Sequence, residues 1–188
     1  MEPTQKHLQA PATNPTVVPM YIKSVVDGEL RQAEIISDLT QHEYDSSSGQ
    51  VTSTEIPFGI LLAQDCDLLR DFEAMSAEKP PVLNGALIYE LKIATDAKAQ
   101  LHGVSWQPLA QNNNERFHFF QMVPADSDLL GLGLPELVLD FRRYFTLPPF
   151  EIFRQTTQGA KRRCRLNSPY REQLQNRAGF YIQRVALP

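Results

Sequence analysis

Gln64-Asp65-Cys66-Asp67 sets an amide, two carboxylates and a thiol side by side, directly after the apolar run Gly59-Ile60-Leu61-Leu62-Ala63. These residue types suit three chemistries: a thiolate nucleophile, a carboxylate pair holding a cation, or a polar strand end that grips a partner. A nucleophilic cysteine needs a base or a positive field to stabilise its thiolate. Two flanking aspartates act in the opposite sense, because their negative charge raises a thiol pKa. The plainer expectation is a buried, inert Cys66, with Asp65 and Asp67 capping the turn and the helix that follows. Gln64, Asp65, Cys66 and Asp67 therefore stand as candidate binding residues, and no residue is assigned a catalytic role.

Two further groups carry charge in a pattern. Asp140-Phe141-Arg142-Arg143-Tyr144-Phe145 places adjacent charges between aromatics. On a strand, Asp140, Arg142 and Tyr144 would share one face and Phe141, Arg143 and Phe145 the other. An internal Asp–Arg pair, or an arginine reaching back to Asp65 or Asp67, is the expected use of such charges. From Lys161 to Arg184 there are seven basic residues and one acid, a segment of +6 on a remainder of −10 within a net charge of −4. Lys161, Arg162, Arg163, Arg165 and Arg171 join Arg142 and Arg143 as candidate contacts for a phosphate backbone or an acidic protein. The competing expectation is that the basic end neutralises the acidic body within the fold. His7, His42, His102 and His118 have no His or Cys partner at ligand spacing, so no metal or other cofactor is implied. Phosphate-binding glycine loops and a nucleophile-elbow serine are absent as well.

The elements that must position these groups are short. Residues 1–16 are rich in Pro, Thr, Gln and Ala and read as a disordered arm; residues 17–188 read as one domain. Strands are expected over Tyr21–Val26, Leu30–Leu39, Gly59–Ala63, Ala86–Ile93, Arg116–Val123 and Leu137–Phe145. Asp45–Ser53, rich in Ser, Gly and Thr, reads as a mobile loop. Helical spacing marks Asp67–Ala77, with shorter helical pieces over Asp96–Leu101 and Phe150–Gln155. Pro169 at a first helical position, then Tyr170, Leu174, Ala178 and Tyr181, marks a basic C-terminal helix. The expected fold class is α+β: a small bent antiparallel sheet or β-barrel with two or three peripheral helices. At 188 residues and 42% hydrophobic content the chain can bury one full core. It holds no run of 18 apolar residues, so no membrane contact is expected. Without a signal-like start, and with two cysteines, it suits the cytoplasm and disfavours a Cys66–Cys164 bridge.

Arg31-Gln32-Ala33-Glu34-Ile35-Ile36 resembles the R-x-G-D-I opening strand of the MazF/PemK-like small β-barrels. About 25 residues on, Gly59 to Asp65 sits where that family has its R-P-V-L-V-I-Q/S-N/D strand, so the likeness spans Leu30 to Asp67, about a fifth of the chain. The chain also resembles a group of bacterial proteins with a Q-D-C-D tetrad and an R-V-G-L-P-like end, here Arg184 to Pro188. The resemblance implies a toxin–antitoxin or phage-defence setting. Toxin members cut RNA with an arginine just before the second strand; here Glu55-Ile56-Pro57-Phe58 stands there. The resulting expectation is a non-catalytic interaction module with an acidic protein partner. A nucleic-acid-binding or ribonuclease-like protein and a cysteine-dependent enzyme are the alternatives, and a homo-oligomer stays open.

Overall fold

The computed structural model describes residues 18–26 and 28–185. The expectation of a disordered arm over residues 1–16 falls outside them. The chain forms a seven-stranded antiparallel sheet in the order β1-β7-β2-β3-β4-β6-β5. The strands are β1 (Tyr21–Lys23), β2 (Glu34–Asp45), β3 (Gln50–Leu61), β4 (Ala86–Ile93), β5 (Phe117–Phe120), β6 (Leu137–Leu147) and β7 (Lys161–Leu166). The helices are α1 (Asp65–Ser76), α2 (Ala94–Gln100), α3 (Trp106–Ala110), α4 (Pro149–Gln158) and α5 (Tyr170–Val185). The class is α+β as the sequence implies, and of the two expected architectures the open sheet is the one formed. Five helices flank it rather than two or three; α2 overlaps the short helical piece expected over Asp96–Leu101, and α3, five residues long, is the one whose apolar spacing is too brief to register as a period.

Two layers of helix sandwich the sheet. On one face α5 lays Leu174 and Ala178 against Ile35, Ile60, Tyr89, Leu139, Phe141 and Cys164. On the other, α1 and α4 cover Ile36, Leu39, Leu61, Ile88 and Phe145, while α2 and α3 cover Phe117 and Val138. Gly59 sits where β2, β3 and β4 crowd together; a Cβ there would lie 2.8 Å from Ile88 Cγ2 and 3.1 Å from Leu39 Cδ1, so a larger residue would have to displace those core side chains. No helix among the described residues is long and apolar enough to cross a membrane.

Two regions depart from the sequence reading. β7 occupies the segment that opens the basic run, so the C-terminal helix carries only Arg171, Arg177 and Arg184 of the seven cations. Charge masked its alternation: Cys164 and Leu166 face α5, while Arg162 and Arg163 before them hide in ion pairs. The segment read as a mobile loop is the end of a long hairpin, β2–β3, with only residues 46–49 as its turn. Its strands lack an apolar pattern because beyond Leu39 and Ile56 they touch no core.

Candidate functional site

The tetrad Gln64 to Asp67 starts α1. Gln64 is the N-cap residue but its side chain makes no capping bond. Asp65 does not cap either. Its Oδ1 accepts the Gln32 backbone N–H at 2.7 Å, and its Oδ2 accepts from Arg171 Nη1 at 3.0 Å. It therefore clamps the β1–β2 connection, α1 and α5 together. The arginine reaching back to Asp65 comes from α5, not from β6. Asp67 lies 3.8 Å from Arg70 one turn on, and both aspartates sit in the first turn, where the helix dipole favours negative charge. Cys66 is exposed, contrary to the buried thiol expected, and Cys164 is the buried one; both are free. The N-terminal position turns the Cys66 side chain outward, 3.6 Å from Gln64 Oε1 and 3.7 Å from Asp67 Oδ1. Burial instead pushes the Cys164 thiol up to about 12, which keeps it protonated and inert.

The basic end is mostly internal. Arg162 is 5% exposed and bonds Glu34 through Nε at 2.6 Å and Nη2 at 2.9 Å, with further bonds to the Gly28 and Glu29 carbonyls. Arg163 is 7% exposed and holds Asp128 through two bonds of 2.8 Å. It occupies a bulge, since Cys164 faces Ile35 while Arg162 faces Ile36. Asp128 also accepts the Leu132 and Gly133 N–H groups, so this pair pins the 125–134 loop to β7. Burial works against ionisation of Asp128, yet the Arg163 bonds and the Leu132 and Leu130 N–H groups hold its carboxyl below the ordinary range. Arg171 pairs with Asp65 and Glu172, and Arg184 with Glu115. Arg177 donates to the Asn112, Asn114 and Phe117 carbonyls, and burial lowers its pKa. Among the described residues Lys161, Arg165 and Arg177 of the seven form no ion pair, and Arg177 spends its donors on carbonyls instead. The surface that motivated an acidic partner is thus largely used up inside the molecule.

Arg142 and Arg143 have the opposite fate. β6 bulges here: Tyr89 faces Tyr144 and Leu91 faces Leu139, so four residues, Asp140 to Arg143, oppose Glu90 alone. The bulge breaks the alternation expected for a regular strand, and Arg142, Arg143 and Tyr144 are all exposed. Asp140 is held by Arg116 through two bonds and lies 3.5 Å from Arg142. Arg143 comes no nearer than 3.9 Å to Glu90.

Two features escaped the sequence. The first is a pocket of about 190 Å³ lined by Glu90, Lys92, Gln100, Arg116, Asp140 and Arg143 above Phe117 and Val138. Alternating charge on β4 was the available signal, but it reads equally as an edge strand. The second is the far end of the β2–β3 hairpin. From His42 to Glu55 every residue is exposed, on both faces. Tyr44 and Val51 pair across the strands near the tip, 69% and 64% exposed. Asp45 ties the turn through Ser47 and Ser48, whose bonds, Ser48 first, lower its carboxyl to about 2. No group of three metal-ligating side chains occurs among the described residues. No protein-family model, curated protein or solved structure matches this chain.

Proposed function

We propose that this chain is a non-catalytic interaction module that contacts its partner through the projecting β2–β3 ribbon. The observation that carries the reading is the ribbon itself. Four residues per strand, 42–45 and 50–53, reach beyond the body, about 13 Å at the usual rise. A two-stranded ribbon with no covering layer is marginally stable in water, and this one leaves Tyr44 and Val51 uncovered at its end. A partner that buried this pair would gain apolar contact area and would order the ribbon. Glu43, Asp45 and Glu55 are the only carboxylates between Thr40 and Glu55, and the stretch holds no lysine or arginine. The ribbon therefore suits a protein surface that offers cations around an apolar pocket. The toxin–antitoxin or phage-defence setting follows from the sequence resemblance, and no structural feature bears on it.

The alternatives have weaker support. A phosphate-binding basic end would need free arginines where Arg162 and Arg163 are buried in ion pairs. A cysteine enzyme would need a base at Cys66, whose hydrogen-bond neighbours are Gln64 and Asp67. The test replaces residues 41–54 by an Asn-Gly turn, the tightest hairpin link. The shortened chain should keep its melting temperature and lose the proteins that co-purify with the full chain from its native host. Equal recovery of those proteins by the two chains would remove the ribbon from the interface.

A further inference from the structure

The pocket beside the β6 bulge interrupts an otherwise covered sheet face. Along β4, Ile88 lies beneath α1 and α4, and the next residues on that face, Glu90 and Lys92, line the pocket instead. Register puts Lys92 opposite Val138, which α2 and α3 cover. β4 is a central strand, between β3 and β6. Ionic side chains on a central strand, turned into a gap between two helix pairs, have no packing purpose. The bulge is an independent sign, because bulges re-aim side chains next to binding and active sites. Here it brings Asp140 and Arg143 to the same pocket, three residues apart on one strand.

The charges in the pocket are unequally used. Arg116 and Asp140 satisfy each other with two bonds, and Asp140 is only 13% exposed. Lys92 Nζ has one partner, Gln100 Oε1, at 3.3 Å. Arg143 makes no bond shorter than its 3.9 Å approach to Glu90. Three cations face two carboxylates around the rim, and the two cations with spare donors are Lys92 and Arg143. Ala97, Leu101, Phe117 and Val138 form an apolar floor. The volume equals about six waters.

We propose that this pocket binds a small organic anion, a carboxylate or a phosphate monoester on a compact apolar body, with Lys92 and Arg143 taking the anionic group. A guanidinium matches either oxyanion through paired N–H donors, and Lys92 adds a point charge from the other strand. Phe117, Leu101 and Val138 take the body. Arg116, locked by Asp140, fixes the wall between them and is a positioning residue.

The site is independent of the ribbon and is tested separately. Isotope-labelled full-length protein is titrated with benzoate, with phenyl phosphate and with benzyl alcohol as the uncharged control, and backbone amide shifts are followed by NMR. Saturable shifts centred on Ala97, Leu101 and Val138 are expected with at least one anion; which one responds decides between carboxylate and phosphate. The double variant Lys92→Gln/Arg143→Gln should weaken that binding about tenfold or more, with amides elsewhere in the sheet unmoved. Should that variant lose its fold, raised salt on the unaltered protein gives the same answer, since an ion-paired ligand weakens with ionic strength. Absence of localised shifts with both anions, equal response to benzyl alcohol, or binding indifferent to both the variant and salt would each overturn the proposal.

Discussion

The chain holds two Arg-Arg pairs, 142–143 on β6 and 162–163 on β7, and they do opposite work. Both sit on strands of one sheet, and both sit at bulges. Arg162 and Arg163 point to opposite sides of β7, and each meets a carboxylate that is 0% exposed, Glu34 and Asp128. Arg142 and Arg143 meet carboxylates only at 3.5 and 3.9 Å and keep more than half of their side chains in solvent. A buried arginine is tolerable only with its charge matched and its donors satisfied. β7 lies inside the sheet with covered faces, so its arginines had to find acids. At the β6 bulge the helix layer is open and water does the solvating. What separates the pairs is therefore the covering of the strand, not the residue type.

The largest test of this contrast removes one buried cation. Arg163→Ala leaves Asp128 unpaired inside the protein and should cost about 3–5 kcal/mol. Thermal unfolding should show a drop of more than about 6 °C for a chain of this size. A change near zero would mean that Asp128 has become protonated or that water enters, and the contrast would collapse.

A second test asks what an unmatched cation costs on the α5 face. His118 is 8% exposed, its Nδ1 has no partner, and burial first, then the nearby Arg177 charge, lower its pKa from 6.5 to about 3. Between these values the unfolded chain binds the proton and the folded chain does not. Stability should therefore fall as pH drops below about 6.5, by about 2 kcal/mol at pH 5. His118→Phe should flatten this slope between pH 7 and pH 5. An unchanged slope in the variant would assign the pH dependence to other groups.

The smallest expected effect is at the exposed pair. Arg142→Glu/Arg143→Glu should leave the unfolding free energy within about 0.5 kcal/mol per site, as for ordinary surface substitutions. A loss approaching that of Arg163→Ala would show the bulge arginines to be internal counter-ions as well.

Some of this was readable in advance. β4 is found over Ala86–Ile93 as its pattern implies, and α5 follows the Tyr170, Leu174, Ala178 and Tyr181 spacing. Both have an apolar period long enough to stand out. β7 was not readable, since four of its six residues are cationic and the burial of Arg162 and Arg163 depends on Glu34 and Asp128, distant in sequence. The same reason hid the fate of the tetrad: Asp65 has its partners at Gln32 and Arg171, which only the fold brings near.

By itself the amino-acid sequence determined the α+β class, the central strand ahead of Asp65 and the amphipathic C-terminal helix, because these rest on local periodicity and on turn and cap residues. Tertiary structure alone decided which charges are inside, which thiol is exposed, where the sheet face stays open and how far the hairpin projects. Those outcomes depend on desolvation and on pairing between distant residues, and neither leaves a period in the chain.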